Sequence, residues 1–195
     1  MPATLARDDG GVRLPRLLPT CLLGLLLLAG CSADTASPRS ARPASAQPGL
    51  PVPAGVQEAS VVRGVDGDTV VLRGRGTGPL SAEPTRVRVL LVDTPEVSGE
   101  AECFGELASA RAAELLPAGA QVRVLADRDR LDRFGRSLLH VWDEGGTNVG
   151  EALVREGFAT VLVVPPNRLY ESTFRDAEAE AEAAGRGLWT ACPAR

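Results

Sequence analysis

Ala59-Ser60-Val61-Val62-Arg63-Gly64-Val65-Asp66-Gly67-Asp68-Thr69-Val70-Val71-Leu72-Arg73 is the stretch on which the fold turns. Two β-branched runs flank an Asp-Gly pair, which is a strong hairpin signal. The reading is a strand over 59–65, a tight turn at Asp66-Gly67 and a second strand over 69–73. Gly74-Arg75-Gly76-Thr77-Gly78-Pro79 then breaks the pattern. It reads as an ordinary hairpin loop rather than an arginine-glycine nucleic-acid segment. A third strand follows over 86–92, with Arg86 and Arg88 on one face and Val87, Val89 and Leu91 on the other. Pro95 stops it.

Outward from this core, residues 103–116 read as a helix. Leu107, Ala110, Ala113 and Leu115 or Leu116 recur near helical spacing, and Pro117 and Gly119 end it. Residues 120–126 and 136–142 give two further strands. Residues 148–157 form a short helix, capped by Asn148 with Glu151 completing a capping-box-like pair. Residues 167–184 form a longer helix closed by Gly185. Five short strands with a helix after the third imply an α+β, mainly β fold: a five-stranded OB-fold barrel with about three helices. Such barrels often carry nucleic acids, but fold alone does not assign function.

The ends of the chain read differently. Arg7, Arg13 and Arg16 precede an apolar run over 17–28 that is too short to span a bilayer stably. The run ends in Leu28-Ala29-Gly30-Cys31, which resembles the bacterial lipoprotein box. In that class the chain is cut before the cysteine, and the thiol receives a diacylglycerol. The expectation is a signal peptide over 1–30 and a lipid anchor at Cys31, holding the protein to the outer face of the cell membrane. If the box is not used, the protein is secreted. Cys21 falls in the removed segment. Residues 31–57 are rich in Ala, Ser and Pro without apolar periodicity, and read as a flexible tether. The folded domain is placed at 58–192.

Cys103 and Cys192 lie in that exported domain, where a disulfide is the ordinary state. By the loop-entropy model, a loop this long contributes about 4–5 kcal/mol.

The 195-residue chain is 44% hydrophobic and 24% charged, which excludes full disorder. Its net charge of -4 argues at first against a nucleic-acid partner. Location changes that reading. Glu171, Asp176, Glu178, Glu180 and Glu182 crowd one C-terminal segment against Arg175 alone. Residues 120–140 carry Arg123, Arg128, Arg130, Arg133 and Arg136 against three aspartates. There is no lysine, and the one histidine, His140, reads as a structural strand residue. Trp142 and Trp189 read as core aromatics.

The chemistry concentrates in two runs. Asp68 begins a strand and Asp93 ends one. Carboxylates at strand ends beside tight turns converge at a barrel rim, and with backbone carbonyls they make a hard oxygen site for Ca²⁺ or Mg²⁺. The histidine and cysteines of an ordinary zinc site are missing. Taken singly, each aspartate reads as a turn residue before it reads as a ligand. Arg88 and Arg136 add guanidinium groups, a type that binds phosphate oxygens bidentately; spacing alone does not bring the two together, and surface charge is the other reading.

At these residues the sequence resembles the staphylococcal nuclease (thermonuclease) family. The matching runs are 65–70, 88–96, 132–136, 151–157 and 187–189, in family order. The resemblance implies a Ca²⁺-dependent nuclease acting on DNA and RNA, with water attacking phosphorus in line and 3′-phosphate ends as product. It implies Asp68, Asp93 and the Thr94 carbonyl as calcium ligands, with Asp66 outside them. It implies Glu96 as the general base, and Arg88 and Arg136 as the phosphate-binding arginines. Phe134 and Val163 stand near the positions of nucleotide-contacting tyrosines in the best-known member. No protein partner is implied, and a monomer is the expectation. Two other classes compete: an OB-fold lipoprotein that binds nucleic acid without cutting it, and an envelope lipoprotein whose barrel docks another protein.

Overall fold

The computed structural model describes residues 49–192. The expected signal peptide, the expected lipidation site Cys31 and most of the expected tether lie outside the described residues. In chain order the elements are β1 (Gln57–Gly64), β2 (Thr69–Gly74), β3 (Thr85–Val89), β4 (Leu91–Asp93), α1 (Gly105–Leu115), β5 (Gln121–Leu131), β6 (Ser137–Trp142), α2 (Val149–Arg155), β7 (Thr160–Leu162), α3 (Glu171–Ala183) and α4 (Leu188–Ala191). Strands β1-β2-β3-β6-β5 close into a barrel, while β4 and β7 form a separate two-stranded sheet. The α+β five-stranded barrel read from the sequence is therefore the observed architecture. Among the described residues, no helix is long and apolar enough to cross a membrane.

Alternation explains the barrel core. Ala59 and Val61 of β1, Val70 and Leu72 of β2, and Val87 and Val89 of β3 are buried, as are Val122, Val124, Leu139 and Val141 of the closing strands. Inward positions two residues apart meet around the axis, as pleated strands require. The Asp66-Gly67 turn joins β1 and β2, which pair antiparallel from Ala59↔Gly74 to Gly64↔Val70.

The third strand is not continuous. Leu91 adopts φ 64, which β-branched and bulky residues rarely tolerate, and the chain turns there. The segment expected over 86–92 therefore splits. β3 pairs with β2 and β6 in the barrel, whereas β4 pairs with β7, Asp93 opposite Thr160. The alternation of Val87, Val89 and Leu91 conceals this break, because buried residues lie on both sides of it.

The mid-chain helix also differs in phase. Its buried face is Gly105, Ala108 and Ala112, while Leu107 is 55% exposed. The buried face is made of small residues, and Gly105 sits directly against the Glu96 backbone. The long helix begins at Glu171 rather than at residue 167. Asn167 is instead held outside it, accepting from Asp129 N at 2.8 Å and donating Nδ2 to Asp129 O at 3.0 Å. β7 and α4 are too short to show a period. Trp142 is fully buried, but Trp189 is only half-buried.

Asn148 caps α2 as read, its Oδ1 accepting from Glu151 N at 3.0 Å. The Glu151 side chain does not close the box. It is buried and turns to Arg155, whose Nη2 donates at 2.7 Å, and to Leu50 N, which donates at 3.0 Å. Trp142 Nε1 donates to Leu50 O at 3.1 Å. The last part of the expected tether is thus packed on the domain, since Leu50 satisfies a buried carboxylate and a buried indole. Asn148→Ala is expected to lower unfolding free energy by about 1 kcal/mol, the ordinary cost of losing such a cap. Urea denaturation measures it, and an unchanged midpoint contradicts the cap's contribution.

Candidate active site

The β1–β2 turn builds the first wall. Asp66 Oδ1 accepts from Asp68 N at 3.1 Å and Thr69 N at 2.7 Å, fixing the turn as an Asx turn. Gly67 is required by close approach: a Cβ there would lie 2.6 Å from Thr94 Oγ1. This brings the turn against the end of β4. Asp68 Oδ2 accepts from both Thr94 N and Thr94 Oγ1 at 3.3 Å, and Asp68 Oδ1 accepts from Thr69 Oγ1 at 3.1 Å.

Arg88 joins the two carboxylates that the sequence suggested would converge. Its Nη2 donates to Asp93 Oδ1 at 3.0 Å, and its Nη1 is ion-paired with Asp68 Oδ2. The pairing follows from register, because Arg88 lies directly opposite Thr69 in the ladder. One guanidinium thus faces two carboxylates. Burial pushes the Asp68 carboxyl up to about 6 against the pull of Arg88, with Asp66 adding to the rise. The cluster is short of positive charge.

That shortage and the donor set fit a hard divalent cation. Asp68, Asp93 and the Thr94 carbonyl are all oxygens, and carboxylate plus carbonyl is the donor chemistry of Ca²⁺ and Mg²⁺. Among the described residues, no group of three or more His, Cys, Asp or Glu side chains gathers as a cation cage. A cation here would rely on two carboxylates and backbone, with water or substrate completing its shell.

Arg136 enters from the start of β6. Its Nε donates to Asp132 Oδ2 at 2.6 Å, and its Nη1 donates to Thr69 Oγ1 at 3.4 Å. Thr69 therefore connects Arg136 to Asp68. Asp132 also accepts from the backbone N of Phe134 at 2.8 Å and of Arg136 at 2.9 Å. Burial opposes ionisation of Asp132, but the hydrogen bonds from Arg136 and the turn hold its carboxyl below the usual range. Sequence reasoning included Asp132 in a matching run without giving it a role. Its spacing from Phe134 and Arg136 was the available signal, since an Asp two residues before a turn amide caps it.

Phe134 is 68% exposed, with Arg133 Cζ 4.7 Å and Arg136 Cζ 5.6 Å from its ring centroid. It divides two depressions. One, of about 490 Å³, is lined by Arg88, Arg136, Leu131, Leu162 and Val164. The other, of about 650 Å³, is lined by Arg86, Glu96 and Arg136. Glu96 is exposed and faces the arginine side, while no direct bond joins it to Asp68 or Asp93. Cys103 and Cys192 form the expected disulfide, with an S–S distance of 2.06 Å. His140 is buried in β6 among Trp142, Tyr170 and Phe174, away from these groups.

Residues 86–191 match the family model described as staphylococcal nuclease homologue. The chain belongs to the staphylococcal nuclease family. Its β1–β2 turn, with Asp66 and Asp68, lies upstream of that match. Endonuclease YncB of Bacillus subtilis is 37% identical over 132 residues, 66% of this chain and 59% of that protein. The SPbeta prophage-derived endonuclease YokF of the same organism is 36% identical over 132 residues, 66% of this chain and 42% of that protein. Thermonuclease of Staphylococcus intermedius is 32% identical over 132 residues, covering 66% of this chain and 74% of that enzyme. The chain thus spans about half the length of the two Bacillus endonucleases. Membership of the staphylococcal nuclease family accounts for the barrel, and the chain's own residues carry the question of activity.

Proposed function

We propose that this chain is an exported, Ca²⁺-dependent nuclease that hydrolyses phosphodiester bonds of DNA and RNA, leaving 3′-phosphate ends. The observation that carries this reading is the convergence of Asp68 and Asp93 on Arg88, with Arg136 linked to the same cluster through Thr69. The similarity to endonucleases and a thermonuclease supports it.

Asp68, Asp93 and the Thr94 carbonyl would hold the cation, and Asp66 would fix the turn that presents Asp68. When bound, Ca²⁺ supplies charge that offsets repulsion between the phosphodiester and the carboxylates and polarises a phosphoryl oxygen. Arg88 and Arg136 grip the phosphate and stabilise charge growing on its equatorial oxygens. A guanidinium keeps its charge in proteins and is a poor proton donor, so these two act as electrostatic clamps. Glu96 takes the proton of the attacking water as general base. A lipid at Cys31 would keep the domain at the membrane surface, and the domain would act as a monomer.

The test incubates the full chain, in mild detergent, with single-stranded DNA and either Ca²⁺ or a chelator. Calcium-dependent fragments bearing 3′-phosphates are the expected outcome. Retarded but intact DNA supports the binding-only reading instead, and no interaction at all removes nucleic acid as the partner.

A further inference from the structure

Glu96 lies on a segment with few attachments of its own. Residues 98–101 are exposed, and Gly99 turns the chain with φ 78. Glu102 closes the segment into a ring. Its N donates to Glu96 O at 2.9 Å, and its carboxylate accepts from Glu96 N at 3.2 Å. Gly105 N in turn donates to Glu102 O at 3.1 Å. Gly105 is buried directly on the Glu96 backbone: a Cβ there would stand 2.5 Å from Glu96 O. The backbone that presents Glu96 is thus set by the shoulder of α1.

That shoulder is fastened from the other end of the chain. Cys103 adjoins Glu102 and is bonded to Cys192 across 89 residues of sequence. Cys192 follows α4, which is docked on the end of α2, with Leu188 N donating to Gly157 O at 2.9 Å. Gly157 and Gly187 are in backbone contact there, since a Cβ on Gly187 would lie 2.2 Å from Gly157 O. Phe104, next to Cys103, holds φ 73 and stacks on Phe158 with ring centroids 5.3 Å apart. A bulky residue keeps a left-handed backbone only where its surroundings impose it. Freed of the crosslink, Cys103-Phe104 has room to relax toward ordinary φ, carrying Glu102 and its two bonds to Glu96.

We propose that the Cys103–Cys192 disulfide is a positioning clamp for Glu96, so that turnover requires the oxidised chain. The inference rests on the role given to Glu96 above. Its physiological sense follows from compartment: thiols prevail in the cytoplasm and disulfides outside it. A chain still inside the cell, with both cysteines reduced, would turn over slowly and spare the cell's own nucleic acids.

The test compares the full chain, oxidised and reduced, on single-stranded DNA with Ca²⁺. A dithiol such as dithiothreitol supplies two electrons and two protons, giving two cysteine thiols and its own cyclic disulfide. Rates are read below the unfolding temperature of the reduced protein, with far-UV circular dichroism as the check on fold. Reduction is expected to lower kcat at least tenfold with KM changed less than twofold, and reoxidation to restore it. Gly105→Ala, with the crosslink intact, is expected to lower kcat in the same way; if the reduced chain does not fold, normal turnover in Gly105→Ala overturns the clamp, because Glu96 is then not held through the shoulder that the crosslink fastens. Glu96→Gln is expected to be slow and insensitive to the dithiol. Equal kcat in both redox states, with Glu96→Gln impaired, overturns the clamp and leaves the nuclease reading intact. Equal dithiol sensitivity in Glu96→Gln also overturns it, because the effect then does not pass through Glu96. An oxidised chain that cuts no DNA, or Glu96→Gln at normal turnover, overturns the underlying reading.

Discussion

Replacing Arg136 with alanine is expected to slow turnover by roughly 10²–10³-fold, the usual cost of removing a preorganised donor aimed at developing charge. Arg136 is preorganised in the literal sense. Asp132 fixes its Nε at 2.6 Å, and Thr69 accepts from its Nη1 at 3.4 Å. Two of its donors are therefore occupied by the protein, and the rest of the fork is available for phosphate. Arg136→Lys keeps the charge but cannot hold Asp132 and a phosphate in one plane, so it is expected to recover only part of the loss. The pair with Asp132 is partly exposed, with Arg136 27% and Asp132 15% accessible, so the stability cost is small, on the order of 1 kcal/mol. Thermal unfolding separates the two effects. An Arg136→Ala protein with wild-type turnover would refute the role assigned to it.

Acid should weaken the fold through His140. The imidazole is 1% exposed, and neither nitrogen has a hydrogen-bond partner within the protein. Tyr170, Trp142 and Phe174 surround it, and Asp127 is the charged group that acts on it. Burial lowers its pKa from the ordinary 6.5 to about 4, against the opposing pull of Asp127. Between those values the unfolded chain binds a proton that the folded chain does not. Stability attributable to this residue is therefore fully present above pH 6.5 and declines as pH falls toward 4. The span corresponds to about 3 kcal/mol at most. His140→Phe keeps an aromatic ring in the cluster and removes the proton site. Guanidinium denaturation of both proteins at neutral pH and near pH 4 isolates the difference from the carboxylates they share. Parallel losses of stability in the two would remove His140 as the cause.

The barrel was legible because its signals are local and strong. Asp66-Gly67 between β-branched runs can hardly be other than a turn, and Asn148 before an apolar helix is a cap. The breaks were not legible, because their causes are tertiary. Leu91 looks like any strand leucine until β7 draws β4 out of the barrel. Leu107 looks like a core residue until Gly105, Ala108 and Ala112 are seen to form the buried face of the helix. For the site, residue types and order were readable, and Arg88 and Asp93 do meet. Thr69 as the link to Arg136 depends on ladder register, which no spacing rule supplies. Asp132 was visible and undervalued, since a turn aspartate and the partner of a phosphate-binding arginine look alike in one dimension.

Leu50 carries a consequence for where the chain can be cut without harm to the domain. Its N–H and C=O answer the buried Glu151 carboxylate and the Trp142 indole. A protease cutting upstream of Gly49 leaves both bonds in place and, given the anchor proposed at Cys31, would free an intact domain. A cut just beyond Leu50 strips two buried polar groups of their partners, at roughly 1–3 kcal/mol each. The window for harmless cleavage therefore closes at Leu50, seven residues before the first strand begins at Gln57.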